Sequence, residues 1–444
     1  GWGLRITDLL NGALGEDVLP PELVTGRMVA LAKPGKKSFV PSSHRLIHLL
    51  PAASSLVARA SLFSLQADAT AWEAGPQQFG FVPGRSVISA QVVKDCVAAY
   101  YCGTGQSYLR VQMDIREAFP SMSHDTLRAE VGRWGQDAQS AGHTLLSLLE
   151  QGCVDFCPSS EEAVTYRIAS GTRQGCSSGP FLFRAGFRAV LRSLEAGWNS
   201  LADRGELAPP GLRLSCSATD VDPELPAALV ERWNAQEPGT GAIIVFADDT
   251  ELLCAVPRAW GAEQWVHLYE RALAVLGRVL EGWGLLLNRL KTQCLTLLRG
   301  PGSLQLAWGL AKAGLGDSAS SSLGVRSVAG NLTASRLSDR RSLAWAKFRT
   351  CEAAISTSRG GFRVALVKSA VLGALYWGLE LLSLSARQLA VLDATVVALL
   401  RRAWRRGGRP GGLPEDEWAS VVFLRTFWGL GSAETELRRR RLRW

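Results

Sequence analysis

The sequence predicts an α+β body followed by an all-α module. Through the middle of the chain, short runs with the two-residue alternation of half-buried strands take turns with stretches of helical period. From about residue 335 onward only helical patterns occur, and the composition shifts toward Arg and Trp. At 444 residues the chain exceeds what one hydrophobic core usually serves, so two or three subdomains are expected.

Taken in order, Met28 to Ala32 reads as a short strand, followed by the basic turn KPGKK and an apolar stretch from Leu46 to Leu65 expected to be helical. A loop marked by Gly and Pro, QQFGFVPGRS, precedes a helix expected over 86 to 101. In YLRVQMD, Leu109, Val111 and Met113 alternate with Arg110, Gln112 and Asp114, which ends a half-buried strand on its polar face. Residues 123 to 152 read as helical, and a Gly- and Ser-rich loop at 171 to 180 leads into a helix over 181 to 195. The stretch 197 to 240, rich in Pro, Gly, Ser and Asp, reads as a surface insertion. A hairpin follows, with Ile243 to Phe246 pairing back on Glu251 to Val256. Next, Trp265, Leu268, Tyr269, Ala272, Leu273, Leu276, Val279 and Leu280 have the spacing of an amphipathic helix.

Hydrophobic residues at 47% and charged residues at 20% exclude pervasive disorder. The net charge is +9, and the last 44 residues hold eleven Arg against five acids. Such a basic tail, interleaved with Trp404, Trp418, Trp428 and Trp444, suits a polyanionic partner, nucleic acid ahead of an anionic membrane surface. The nine Cys lack any C-x-x-C pair, which argues against a disulfide framework and a zinc site and fits a reducing compartment. Cys153 with Cys157, and His44 with His48, lie four apart without a second pair, so packing roles are expected. The longest apolar stretch, about 369 to 379, is too short to span a bilayer. The sequence does not begin with Met and is expected to be part of something longer.

Asp248 and Asp249 interrupt the apolar hairpin at its tip, where Asp is also a common turn former. Asp114 ends a neighbouring strand. Three carboxylates on adjacent strands could hold two divalent cations about 3.5–4 Å apart, as in-line phosphoryl transfer requires. Mg²⁺ suits such an oxygen set, because it keeps waters and shares its coordination with substrate phosphates.

DIREAFPSM (114–122), GTRQGCSSGPFLF (171–183), FADDT (246–250) and GLLLNRLKT (284–292) occur in the order seen in reverse transcriptases, and resemble most closely those of non-LTR, LINE-like retrotransposons. ALAKPGKK with HRLIHLL (30–50) is similar to the family's fingers segment, QFGFVPGRS (78–86) to the loop after it, and SSLGV (321–325) to its primer grip. The resemblance implies a right-hand polymerase: an N-terminal extension and fingers over 1–105, a palm with an antiparallel sheet over 106–330 that contains the insertion, and a helical thumb with a basic C-terminal segment over 331–444. It implies an RNA-directed DNA polymerase that extends a primer 3′-OH with dNTPs on an RNA template. Asp114, Asp248 and Asp249 would be catalytic and hold two Mg²⁺, with Mn²⁺ as a substitute.

By the same resemblance Phe119 would lie under the incoming sugar and exclude a ribose 2′-OH. Arg173, Gln174 and Gly175 would let the backbone approach nucleotide or template, Lys291 would stand near the triphosphate, and Arg45 and Lys33 would neutralise it. Expected partners are the RNA template, a DNA primer, dNTPs and an endonuclease domain of the same polyprotein outside this chain, working in the nucleus, with no membrane partner. Phe246 stands where many reverse transcriptases have Tyr, Pro120 where the family often has Asp, and Leu46 where Pro usually follows the Arg. The competing readings are an RNA-directed RNA polymerase and a catalytically inactive or maturase-like RNA-binding protein.

Overall fold

The computed structural model describes residues 19–33, 43–68, 71, 74–75, 77–103, 107–156, 164–203, 243–256, 260–316, 319–322, 325–328, 332–358, 360–406 and 420–442. The chain divides into two compact units, Gly1–Gly316 and Asp317–Trp444.

In the first unit, β1 (Thr25–Ala32) and β2 (His44–Leu49) form an antiparallel hairpin. The strands β3 (Ser107–Met113) and β4 (Ile115–Arg116) follow one another, then β5 (Cys153–Phe156), β6 (Val164–Arg167), β7 (Ile243–Phe246), β8 (Asp249–Val256), β9 (Leu286–Leu287) and β10 (Gln293–Leu297). One sheet has the order β2-β1-β5-β6, with β1 and β5 parallel, and a second has the order β10-β3-β8-β7, antiparallel throughout. β4 and β9 form a small ribbon beside the second sheet.

The second sheet has two differently covered faces. Leu109, Val111, Met113, Leu252, Cys254 and Val256 share a core with Phe187, Trp198, Trp265 and Leu276 from the helices Gly179–Asp203 and Ala262–Gly282. The opposite face receives the helix Val87–Gly103. There Glu251, fully buried, takes a hydrogen bond from Lys94 Nζ at 2.5 Å and another from Arg110 Nε at 2.6 Å. Arg110 was expected on an exposed polar face. It is 3% exposed, because the helix covers this face and Glu251, diagonally placed on the neighbouring strand, supplies the countercharge.

Several boundaries differ from expectation for local reasons. Leu46 to Leu49 belong to β2, and the helix begins only at Ala52 after Pro51. The edge pairing of β2 with β1 outweighs the apolar run, and Pro51 precedes the first helical residue. The stretch 123–152 is two helices, His124–Val131 and Gln136–Glu150, broken between Gly132 and Gly135. The helix expected over 181–195 runs from Gly179 to Asp203 and takes in the start of the proposed insertion, whose remainder, 204–240, lies outside the described residues. All the positions of the amphipathic pattern in Ala262–Gly282 are buried except Val279, which packs against the core from its edge.

The described residues of the second unit open with the ribbon β11 (Ala319–Ser322) and β12 (Val325–Val328), and their other regular elements are helices. The helices Leu332–Thr357, Ala386–Arg406, Val421–Trp428 and Ala433–Arg441 gather Phe348, Leu392, Leu400, Leu424, Trp428 and Leu437 into a core of their own. Ser420 and Ser432 cap the last two helices through their hydroxyls.

Removing one member of a buried ion cluster leaves an uncompensated charge, which typically costs about 3–5 kcal/mol. Glu251→Leu, which leaves Lys94 and Arg110 buried without the carboxylate between them, is therefore expected to destabilise the first unit by about that amount, read as a loss of urea midpoint. Adding Lys94→Met to it should recover part of the loss, since one of the two buried cations left without that carboxylate is then gone.

Candidate active site

β3 and β8 pair in register up to Met113↔Thr250. One residue further, this register places Asp114 beside Asp249, and Asp248 sits in the two-residue turn between β7 and β8. Asp114 and the Asp248–Asp249 pair, 134 residues apart in sequence, thus come to one sheet end through strand pairing alone.

Their surroundings are asymmetric. Asp114 Oδ2 accepts a hydrogen bond from Asn288 Nδ2 at 2.8 Å and lies 3.6 Å from Lys291 Nζ. The Asn288 backbone N–H donates to the Asp114 carbonyl at 2.7 Å, which ties the Asn288–Thr292 turn to the strand end. The Asp249 carboxyl is pushed up to about 6, first by burial and then by the charge of Asp248, with Lys94 opposing. Burial also raises Asp248, and Asp114 adds to the rise. The three carboxylates therefore feel one another in a partly dry setting.

Among the described residues no three His, Cys, Asp or Glu side chains gather into a metal-ligand cluster. The donor chemistry at the sheet end still fits a hard cation: every side-chain donor of the trio is a carboxylate oxygen, and burial, with the charge of Asp248 second, disfavours the ionised Asp249 in a way that a divalent ion would offset.

Phe119 lies in the one-turn helix Ala118–Ser121. Pro120 fits there because a helix's first turn has no intrahelical use for its N–H, and Ser121 N–H closes the turn on Glu117 O at 3.0 Å. The Phe119 ring stacks on Phe183 at 4.0 Å and meets Phe81 edge-on at 6.0 Å. The GTRQG loop holds this turn from the other side. Thr172 N–H donates to Phe119 O, Gly171 N–H to Met122 O, and a Cβ on Gly171 would lie 2.4 Å from Pro120 Cα and O.

The remaining expected residues are placed unequally. Arg173 is 3% exposed, with its guanidinium donating to Leu148 O at 2.5 Å, so its side chain braces the loop instead of facing outward. Gln174 O accepts from His48 N–H at 2.7 Å, and Gly175, exposed with φ +106°, lies where a Cβ would stand 2.6 Å from His48 O. The loop is thereby sewn to β2, which also carries the exposed Arg45. Lys33 continues this hairpin, its N–H donating to Ser43 O. In the second unit, part of the Arg tail is engaged internally: Arg425 with Asp393, Arg438 with Glu434, Arg439 with Glu436, Arg440 over the Tyr376 ring, and Arg441 on the Glu380 and Leu382 carbonyls.

Sequence reasoning missed Asn288 as a partner of Asp114 and the Lys94–Glu251–Arg110 cluster behind Asp249. The second left one signal, a charged residue at each inward position of otherwise apolar segments. Among the described residues, the non-glycine residues with positive φ are Phe81, Glu117 and Ala247. All three flank this site, which is where stored backbone strain tends to concentrate.

Residues 32–327 match the family model for reverse transcriptase (RNA-dependent DNA polymerase). The chain belongs to the reverse transcriptase family. Its right-hand polymerase architecture follows from that membership, with the β10-β3-β8-β7 sheet as the floor of the site. Over 190 residues it is 28% identical to a probable RNA-directed DNA polymerase from transposon X-element of Drosophila melanogaster, a match covering 40% of this chain and 20% of that protein. The match thus spans about a fifth of this curated relative's length. Among solved structures it is similar to telomerase from Candida albicans in complex with a TWJ fragment of telomeric RNA, at 9% identity and a TM-score of 0.48, covering 95% of this chain and 70% of that one. It is also similar to apo telomerase from Candida tropicalis, at 11% identity and a TM-score of 0.43, covering 90% and 61%.

A folded-state pKa raised from 3.8 to about 6 means the folded protein holds the Asp249 proton more tightly than the unfolded chain does. The stability this contributes is complete below about pH 4 and is lost as pH rises through about 6. In metal-free protein, Asp249→Asn is therefore expected to gain stability relative to wild type between pH 4 and 6, as read by urea denaturation across that range. A difference that stays flat with pH would mean that burial does not hold the proton on Asp249.

Proposed function

We propose that this reverse transcriptase is the polymerase of a non-LTR retrotransposon, extending a primer 3′-OH with dNTPs on an RNA template. The observation that carries the reading is the juxtaposition of Asp114 with Asp248 and Asp249 at the end of the β3–β8 pair, within the stretch that matches the family. The likeness to a transposon polymerase supports the element class.

Asp114, Asp248 and Asp249 are the residues that would hold two Mg²⁺ ions, which when bound supply activation of the primer hydroxyl and charge neutralisation at the leaving pyrophosphate. The chain's own groups do the rest. Asn288 fixes the Asp114 carboxylate by its 2.8 Å hydrogen bond. Lys291, 68% exposed and 3.6 Å from Asp114, is placed to give a proton to the departing pyrophosphate. Phe119, buttressed by Phe183 and Phe81, forms a wall against a ribose 2′-OH. Gly175 and the neighbouring backbone offer close approach to nucleotide or template, and Arg45 with Lys33 meets the triphosphate. By the same reading the fingers run over 1–105, the palm over 106–330 and the thumb over 331–444. Arg side chains of the second unit would follow the nucleic-acid backbone without reading sequence.

No helix among the described residues is long and apolar enough to cross a membrane. By the same reading the enzyme works in the nucleus beside an endonuclease domain of the parent polyprotein.

Primer extension on an RNA template with Mg²⁺ tests the proposal. Wild type is expected to use dNTPs, and Asp248→Asn with Asp249→Asn to lose about 10³-fold or more of kcat. Ribonucleotide use by wild type would favour an RNA polymerase, and RNA binding without extension an inactive or maturase-like protein. Phe119→Val should raise incorporation of rNTPs relative to dNTPs about 10- to 100-fold while leaving dNTP extension within a few-fold, since it removes a wall and not a ligand.

A further inference from the structure

The strap formed by residues 77–81 lies along β7 as an added parallel edge, with Gln77 O accepting from Val245 N–H at 2.9 Å and Val245 O from Phe79 N–H at 2.7 Å. From this edge the Gln78 side chain, 1% exposed, reaches the catalytic turn. Its Oε1 accepts from Ala247 N–H at 3.0 Å and from Gly80 N–H at 2.7 Å, and its Nε2 donates to Ala247 O at 3.1 Å. One carboxamide thus satisfies both backbone polar groups of the residue just before Asp248.

Ala247 needs this support. Its φ is +62°, at the first position of a two-residue hairpin turn where glycine is the favoured residue. A Cβ makes that conformation unfavourable, so the turn persists only where its surroundings enforce it. The strap is also fitted closely: a Cβ on Gly80 would stand 2.2 Å from Ala247 N. Arg85 holds the strap's far end through the Gly75 and Gln78 carbonyls, both at 2.6 Å. Three residues beyond Gln78, the Phe81 ring meets Phe119.

We infer that Gln78 is a positioning residue for the reaction: its carboxamide holds Ala247 in the left-handed turn that sets the Asp248 carboxylate, and the same strap brings Phe81 against the Phe119 wall. The inference rests on the proposed polymerase activity for its kinetic arm only.

Two measurements test it on the full chain. In amide hydrogen exchange of metal-free protein, Gln78→Met is expected to lose at least 10-fold protection in the peptide covering 243–250, while the helix Gly179–Asp203 keeps its rates. In primer extension, Gln78→Met should lower kcat 10- to 100-fold, with KM for dNTP and Kd for RNA within about 2-fold. Adding Ala247→Gly, which adopts positive φ without help, should restore at least 5-fold of kcat to Gln78→Met. A purely structural role predicts no such rescue.

Unchanged protection at 243–250, or equal loss there and in the helix Gly179–Asp203, overturns the inference. So does a kcat deficit that Ala247→Gly leaves in place. If wild type extends no primer, the polymerase reading fails, and the exchange experiment still decides the clamp.

Discussion

The buried cluster of Lys94, Glu251 and Arg110 is the interaction on which the site depends. It ties the helix Val87–Gly103 to β8 and β3, the two strands whose ends carry Asp249 and Asp114. A slip of one residue between those strands would turn Glu251 away from both cations and bury it against the apolar core. The ion cluster therefore specifies one register, and that register places Asp114 beside Asp249. Such clusters are weak evidence of stability in themselves, because two cations and a carboxylate must be desolvated to form them. Their value here is selection among alignments.

The cluster also has an electrostatic consequence. Two cations and one anion lie immediately behind a trio of carboxylates, on the same face of the sheet. Burial makes Lys94 less ready to keep its proton, with Glu251 opposing that effect, and Lys94 in turn lowers the proton affinity of Asp249. The rear of the site is thus biased positive and the front negative, an arrangement that tolerates carboxylates at a partly dry sheet end and leaves room for external cations at the front. Around it, Phe81, Glu117 and Ala247 hold the unfavourable backbone conformations that bring ring, turn and acid to one place.

The Arg-rich tail shows how charge can mislead when read from composition. Several of its guanidiniums cap carbonyls, cover the Tyr376 ring or pair with acids one turn away. Those charges are partly neutralised within the second unit, so fewer of them are available to a phosphate backbone than the eleven in the sequence suggest.

The sequence by itself determined the local elements with strong periodicity and the chemistry of the motif positions. The amphipathic helix Ala262–Gly282, the alternation of β3 and the acid pair at a hairpin tip were legible because each depends on neighbours a few residues away. Only the tertiary structure decided that Leu46–Leu49 is strand, since that depends on pairing with β1. It alone decided that Arg110 is buried and that Arg173 turns inward, because their partners, Glu251 and Leu148 O, are 141 and 25 residues away. Gln78 stood in plain view within a recognised motif, yet its role depends on a turn 169 residues further on. Hydrogen bonds across such separations leave no periodic trace in a sequence, and it is these long-range contacts that assemble the site.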